Sequence, residues 1–318
     1  MGWDILDLSR DYLLVSTRRV TATGLSELAD GAISHDRITR FLAGEELNGK
    51  GLWLKAKKLT RQYGDGEGCL IFDDTIVEKA YMDEDEIICW YYDHSKGRDA
   101  KGIHILTAFY VAENEYGKLR QTPIDYQITT KTKTETDEKS GKERRASERS
   151  KNELISRRIQ KHVKFGSVLA DSWFASAENM RFIGKKGKAF IFEINDNRLA
   201  AVNEREREKG RFVRVDRMEI PDEEPVLVYL KGLTFPAMLY KQVFKNKDGS
   251  TGLRYLAAND ETMGGDRFKT LYKKRWGVEV YHESIKQNTA IGKSPARTER
   301  TQSNHVFAAI YAYVKLEL

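Results

Sequence analysis

The stretch Tyr272 to Lys286, YKKRWGVEVYHESIK, sets a phenol, a guanidinium, a carboxylate and an ammonium on one side of an expected helix. At 3.6 residues per turn, Tyr272, Arg275, Glu279 and Lys286 fall inside an arc of about 60°. Leu271, Val278 and Ile285, at heptad spacing, form the adjoining apolar stripe that would face a core. Arg275 and Lys286 are either simple ion-pair partners of Glu279 or phosphate-binding cations beside a metal-ligating acid, an arrangement suited to a cut DNA end.

Two more acids follow short apolar runs, Asp73 in GCLIFDDT and Asp171 in GSVLADSWF. Each run reads as a buried strand that ends where it emerges at the edge of a sheet. Singly, such an Asp is a turn former or helix cap, and a helical Glu faces solvent. Together, three carboxylates distant in sequence can converge only in the fold, where their use would be to hold divalent cations. Mg²⁺ and Mn²⁺ prefer oxygen ligands, and in pairs about 3.5–4 Å apart they stabilise both oxygens of an in-line phosphoryl displacement. Phosphodiester cleavage is the chemistry that this combination predicts. Asp74 competes with Asp73 for the role of first acid.

The elements that must position these residues can be read in outline. Residues 1–66 look helical, and LSELADGAISHDRITRFLAG reads as two short helices joined at Gly31, with Ser34 as N-cap and Gly44 as stop. The second helix would expose His35, Arg37, Thr39 and Arg40, either to DNA or simply to water as part of a helical hairpin. GIHILTAFYVA and KLRQTPIDYQIT supply two more strands. Between Thr129 and Arg158 the chain is nearly devoid of apolar residues and reads as a solvated loop leading into a helix at about 151–163. A DNA contact by Arg144, Arg145, Arg149 or Lys151 is the other reading of that loop. From about 186 to 256 the chain is β-rich, and NHVFAAIYAYVKLEL closes it as an apolar helix.

Composition narrows the class. Lys and Arg total 54 against 48 Asp and Glu, for a formal charge of +6 and a pI near 9.0, which suits a polyanionic partner. Cys69 and Cys89 have no CxxC companion, and the six histidines show no zinc spacing, so neither a disulfide scaffold nor a zinc site is expected. The acidic start MGWDILDLSRDYLLV is no signal peptide, and no apolar run reaches the ~18 residues of a membrane span. A reducing cytoplasm is the simplest home.

Taken together these residues resemble the bacterial insertion-sequence transposases of the DDE type, whose third acid lies in the signature Tyr-x2-Arg-x3-Glu-x6-Lys. Tyr272, Arg275, Glu279 and Lys286 match it at every spacing, and FDDT and LADSWF look like the segments bearing the first two acids. The family tends to place Ser or Thr two positions after its first acid, so the resemblance, with Thr75 in that place, implies Asp73 as the first. The resemblance implies an α/β fold: a ribonuclease-H-like mixed sheet flanked by helices, with an N-terminal helical DNA-binding domain (1–66), a catalytic domain in two parts (67–185 and 257–318) and a β-rich insertion domain (186–256).

It further implies that Asp73, Asp171 and Glu279 bind two Mg²⁺ ions, with Mn²⁺ an alternative. Tyr272, Arg275 and Lys286 would grip phosphates near the end of the element. Trp276 and Trp173 are either core packing or a stack for an unpaired base, and Lys96 and Arg98 in YYDHSKGRDAKG either touch the DNA backbone or only lead into a strand. The partners implied are double-stranded DNA, as terminal inverted repeats and target, and a second copy of the chain on that DNA; the place implied is a bacterial nucleoid. Such transposases often continue beyond the helix after the signature, whereas this sequence stops at Leu318, a departure bearing on activity rather than on fold. The rival functions are a non-catalytic, truncated derivative that represses movement, and a ribonuclease-H-like nuclease without strand transfer.

Overall fold

The computed structural model describes residues 4–63, 68–113, 116–136, 141, 143–148, 152, 164–246 and 248–316. Four helices come first: α1 (Ile5–Val15), α2 (Ala22–Leu28), α3 (His35–Gly44) and α4 (Gly49–Tyr63). Their caps are local chemistry. The Thr21 hydroxyl accepts from Gly24 N at 3.0 Å and the Ser34 hydroxyl from Arg37 N at 3.4 Å, while Gly31 turns the chain at φ 72°. Ile38 is the buried residue of α3 and joins Ile5, Leu25 and Ile33 in a small core, so His35, Arg37, Thr39 and Arg40 are exposed.

The strands β1 (Cys69–Glu78), β2 (Ile88–Asp93), β3 (Arg98–Glu113) and β4 (Leu119–Ile128) follow, and β5 (Lys133–Thr136) and β6 (Glu143–Ala146) make a separate two-stranded hairpin. β2, in a stretch for which no strand was expected, pairs with the first third of β3 through Ile88 to Asp93. The helix expected at 151–163 lies, apart from Asn152, outside the described residues, as do Arg149 and Lys151.

After β7 (Ser167–Ala170) come α5 (Ala177–Lys185) and β8 (Ala189–Ile194). β1 pairs antiparallel with β3 and parallel with β7, and β7 pairs parallel with β8. β4-β3-β1-β7-β8 is therefore three antiparallel strands followed by two parallel ones, flanked by helices: the ribonuclease-H-like α/β arrangement expected. The sheet does not stop at β8. β9 (Leu199–Ala201), the short helix α6 (Glu204–Glu208), β10 (Val213–Arg214), β11 (Val226–Leu230), β12 (Ala237–Lys245) and β13 (Thr251–Ala258) continue it in the order β8-β13-β12-β11-β9-β10, so the β-rich stretch is hydrogen-bonded to the central strands.

Three helices complete the chain: α7 (Gly265–Lys273), α8 (Trp276–Asn288) and α9 (Glu299–Leu316). The two-residue period of the strands sorts the cores. Ile71 and Val77 of β1 and Leu169 of β7 join Tyr281, Ile285 and Phe307 on one face, whereas Leu70, Phe72 and Ala170 join Phe174, Met180 and Ile183 on the other. Tyr281 stacks on Phe109 of β3 at 5.1 Å and meets Tyr313 of α9 edge-on at 4.8 Å, pinning α8 between sheet and α9. No described helix is long and apolar enough to cross a membrane.

Candidate active site

Register brings the first two acids together. Phe72 of β1 lies level with Ala170 of β7, and both side chains enter the same core. The next residues, Asp73 and Asp171, therefore stand side by side on the opposite face, the one covered by α8. That geometry distinguishes the neighbouring acids. Asp74 points the other way, where it accepts from His104 Nε2, and His104 Nδ1 is 2.7 Å from the Thr129 hydroxyl.

One detail departs from expectation: β1 does not end at Asp73 but runs on to Glu78, because β3 pairs along its whole length. It is β7 that stops, and Asp171 caps the short 3-10 turn Ser172–Phe174 by accepting from Trp173 N at 3.0 Å.

The signature row is also not one unbroken helix. The bonds Arg275 N to Tyr272 O at 3.0 Å and Val278 N to Arg275 O at 3.1 Å span three residues instead of four, so the chain tightens at Lys274–Arg275 between α7 and α8. Tyr272 is buried, with its hydroxyl donating to Glu193 Oε2 at 2.9 Å.

Arg275 gathers the three acids. Its Nη2 lies 4.0 Å from Asp73 Oδ2 and 3.9 Å from Asp171 Oδ2, and its Nη1 donates to Glu279 Oε1 four residues on. Burial opposes the guanidinium charge, but the fields of Tyr272, Asp73, Glu279 and Asp171 outweigh it and hold the proton. Its Nε is buried without a hydrogen-bond partner among the described residues. Burial pushes the Asp73 carboxyl up to about 7; Arg275 pulls it back, and Asp171 and Asp74 add repulsion. Asp171 is raised too, again by burial first.

Beneath Asp73 sits His282 of α8, with Nδ1 3.8 Å from Asp73 Oδ2 and Nε2 3.3 Å from the Thr107 hydroxyl directly across the strand pair. Burial, then the charge of Lys286, pushes this imidazole down to about 3, so it is neutral. Lys286 itself reaches the surface, yet desolvation lowers its proton affinity. Trp173 and Trp276 are largely exposed, at 58% and 64%, and are not core residues. Lys96 and Arg98 are also at the surface, but both pair with Glu78. Arg37 and Arg40 stand apart from this cluster on α3.

Sequence reasoning missed His282, although a histidine three positions after a functional helical Glu shares its face. It also missed Glu193, whose signal is a lone acid inside the apolar run KAFIFEIN.

The donor set is hard oxygen in kind, as Mg²⁺ or Mn²⁺ requires, and the acids already surround one cation, the Arg275 guanidinium. With that guanidinium among them, no group of three or more His, Cys, Asp or Glu among the described residues closes on a common metal position.

The chain matches the family described as Transposase DDE domain over residues 66–315, more than three quarters of its length. No curated protein matches it.

Proposed function

Because the chain belongs to the family of transposase DDE domains, we propose that it cuts DNA at the ends of an insertion sequence and joins the freed 3′-hydroxyl to target DNA, with Asp73, Asp171 and Glu279 as its acids. The family acts on DNA and normally uses divalent metal ions. The observation that carries the assignment is the meeting of all three acids around Arg275, at 3.9 and 4.0 Å for the two aspartates and in direct contact for Glu279.

Asp73, Asp171 and Glu279 would hold Mg²⁺ or Mn²⁺, two ions per site. Such ions, when bound, supply Lewis-acid stabilisation to the attacking and departing oxygens. Arg275 turns from the carboxylates to a phosphate, for which its Nε is an available donor and its fork the right shape. Lys286, one side of α8 further on, adds a second positive charge. In the first step water adds to phosphorus as the bond to the 3′-oxygen breaks, leaving a 3′-hydroxyl and a 5′-phosphate. In the second, that hydroxyl attacks the opposite strand or a target phosphodiester, and a new 3′-hydroxyl departs. No covalent enzyme intermediate arises.

In the same proposal residues 1–66 read the terminal inverted repeats through α3, residues 186–256 are the insertion between the two catalytic parts, and two copies act together on paired ends in the bacterial nucleoid. In this reading the exposed Trp276 and Trp173 stack on an unpaired base, and Lys96 and Arg98 meet the DNA backbone.

The test is incubation with DNA carrying the native end plus Mg²⁺. Glu279→Gln and Asp171→Asn should each lower cleavage about 10³-fold, the equivalent of losing about 4 kcal/mol of charge stabilisation. Tight binding without cleavage by the wild-type chain would point instead to a repressing derivative.

A further inference from the structure

The row of acids is longer than the signature suggests. Ala170 of β7 lies level with Phe192 of β8 where their pairing ends, so the residue after each, Asp171 and Glu193, follows the last paired position. Phe72, Ala170 and Phe192 share one core, which turns Asp73, Asp171 and Glu193 to the same face, in line across three strands spaced about 4.8 Å apart. Glu193 is not left as a bare charge. It accepts from the Tyr272 hydroxyl at 2.9 Å, and its Oε2 lies 3.2 Å from Arg254 Nε, reaching over from β13.

Two guanidiniums lie near the Tyr272 ring, Arg254 at 5.3 Å and Arg275 at 6.0 Å from its centroid. Tyr272 is also the residue whose carbonyl accepts from Arg275 N in the tightened turn. One side chain thus connects Glu193 to the backbone that places Arg275.

We propose that Glu193 is a positioning residue that, through Tyr272 and with Arg254, sets where Arg275 stands among the three acids; this rests on taking those acids as the cutting site. Tyr272 then acts from within the protein rather than on a phosphate. The chain Glu193, Tyr272, Arg275 couples the β13 side of the sheet to the centre of the acidic cluster.

Two variants remove single groups without opening a cavity, Tyr272→Phe and Glu193→Gln. Hydrogen exchange is followed by mass spectrometry at the amides of Arg275, Gly277 and Val278. Tyr272→Phe removes the hydrogen bond and Glu193→Gln the charge that strengthens it, so exchange there should quicken in both variants, about tenfold where the bond is lost, with β8 and β13 unaltered. In cleavage of end DNA, kcat should fall about tenfold at unchanged metal-free Kd for the DNA, and the double variant should be no worse than the weaker single one.

Unchanged exchange at the turn in either variant overturns the proposal, and so does loosening spread through β8 and β13. Weakened DNA binding by Tyr272→Phe alone, with Glu193→Gln normal, overturns it in favour of a direct phosphate contact. A wild-type chain that never cleaves defeats the proposed function, while the exchange data still decide whether Glu193 places Arg275.

Discussion

Arg275 balances three carboxylates that would otherwise repel one another, and burial still pushes the Asp73 carboxyl up to about 7 against the pull of that guanidinium. Removing the guanidinium leaves the acids without a counter-charge in a mostly buried place. Arg275→Gln should therefore lower the stability of the metal-free protein by about 3 kcal/mol, within the range for breaking a buried pair. Added Mn²⁺ should restore more of its Tm than it adds to wild type, because the ion replaces the missing positive charge. Equal gains in the two proteins would show that Arg275 and a metal do not share those carboxylates. Lysine is no substitute, since one ammonium cannot span Asp73, Asp171 and Glu279 as the fork does.

Elements hold this cluster by close approach and by buried polar anchors. β1 and β3 cross tightly at Gly102, where a Cβ would press on Val77 O and lie 2.9 Å from the Cα of Glu78. Gly102→Ala should cost about 1–3 kcal/mol in denaturant unfolding, as overpacking against backbone does. The turn between α8 and α9 is held from below. Lys79 donates to Gly292 O and Ser294 O at 3.0 Å, and His305 Nε2 sits 3.1 Å from Ile291 O. Burial, reinforced by Lys79, pushes His305 down to about 4. The folded value lies below the ordinary value near 6.5, so the unfolded chain binds more protons between the two. The stability His305 contributes is thus present above pH 6.5 and lost as pH falls through 4. The loss is on the order of 3 kcal/mol at full protonation, and His305→Gln should flatten the stability profile across that window.

At this scale the sequence was informative where period and punctuation were strong. Ser34, Gly31 and Gly44 mark α2 and α3 closely, and the acid-bearing strands and the final helix are where the pattern puts them. Three-residue bonding at Arg275 left no mark in spacing, because Lys274 and Arg275 are ordinary helix formers. β2 was missed because Trp90, Tyr91 and Tyr92 lie among charges and glycine that mimic a loop. The row from Asp73 to Glu193 depends on inter-strand register, which no single strand reveals.

Across the whole molecule, α3 and the acids lie in different regions, so recognition and chemistry should separate in experiment. Arg37→Ala and Arg40→Ala should weaken end-DNA binding and each reduce the salt dependence of log K by about one unit, with kcat at saturating DNA unchanged. A fall in kcat would place these arginines at the cut instead. What joins the regions is α9. Asn304 accepts from Leu47 N at 3.0 Å and donates to Leu42 O and Glu45 O at 2.8 Å, while Tyr313 leans on Tyr281 of α8. Held at both ends, α9 links the end of α3 to α8, the helix that carries Glu279. If α3 seats the duplex as proposed, and this link holds the two at a fixed distance, the scissile bond is found by measuring along the helix rather than by reading its own letters.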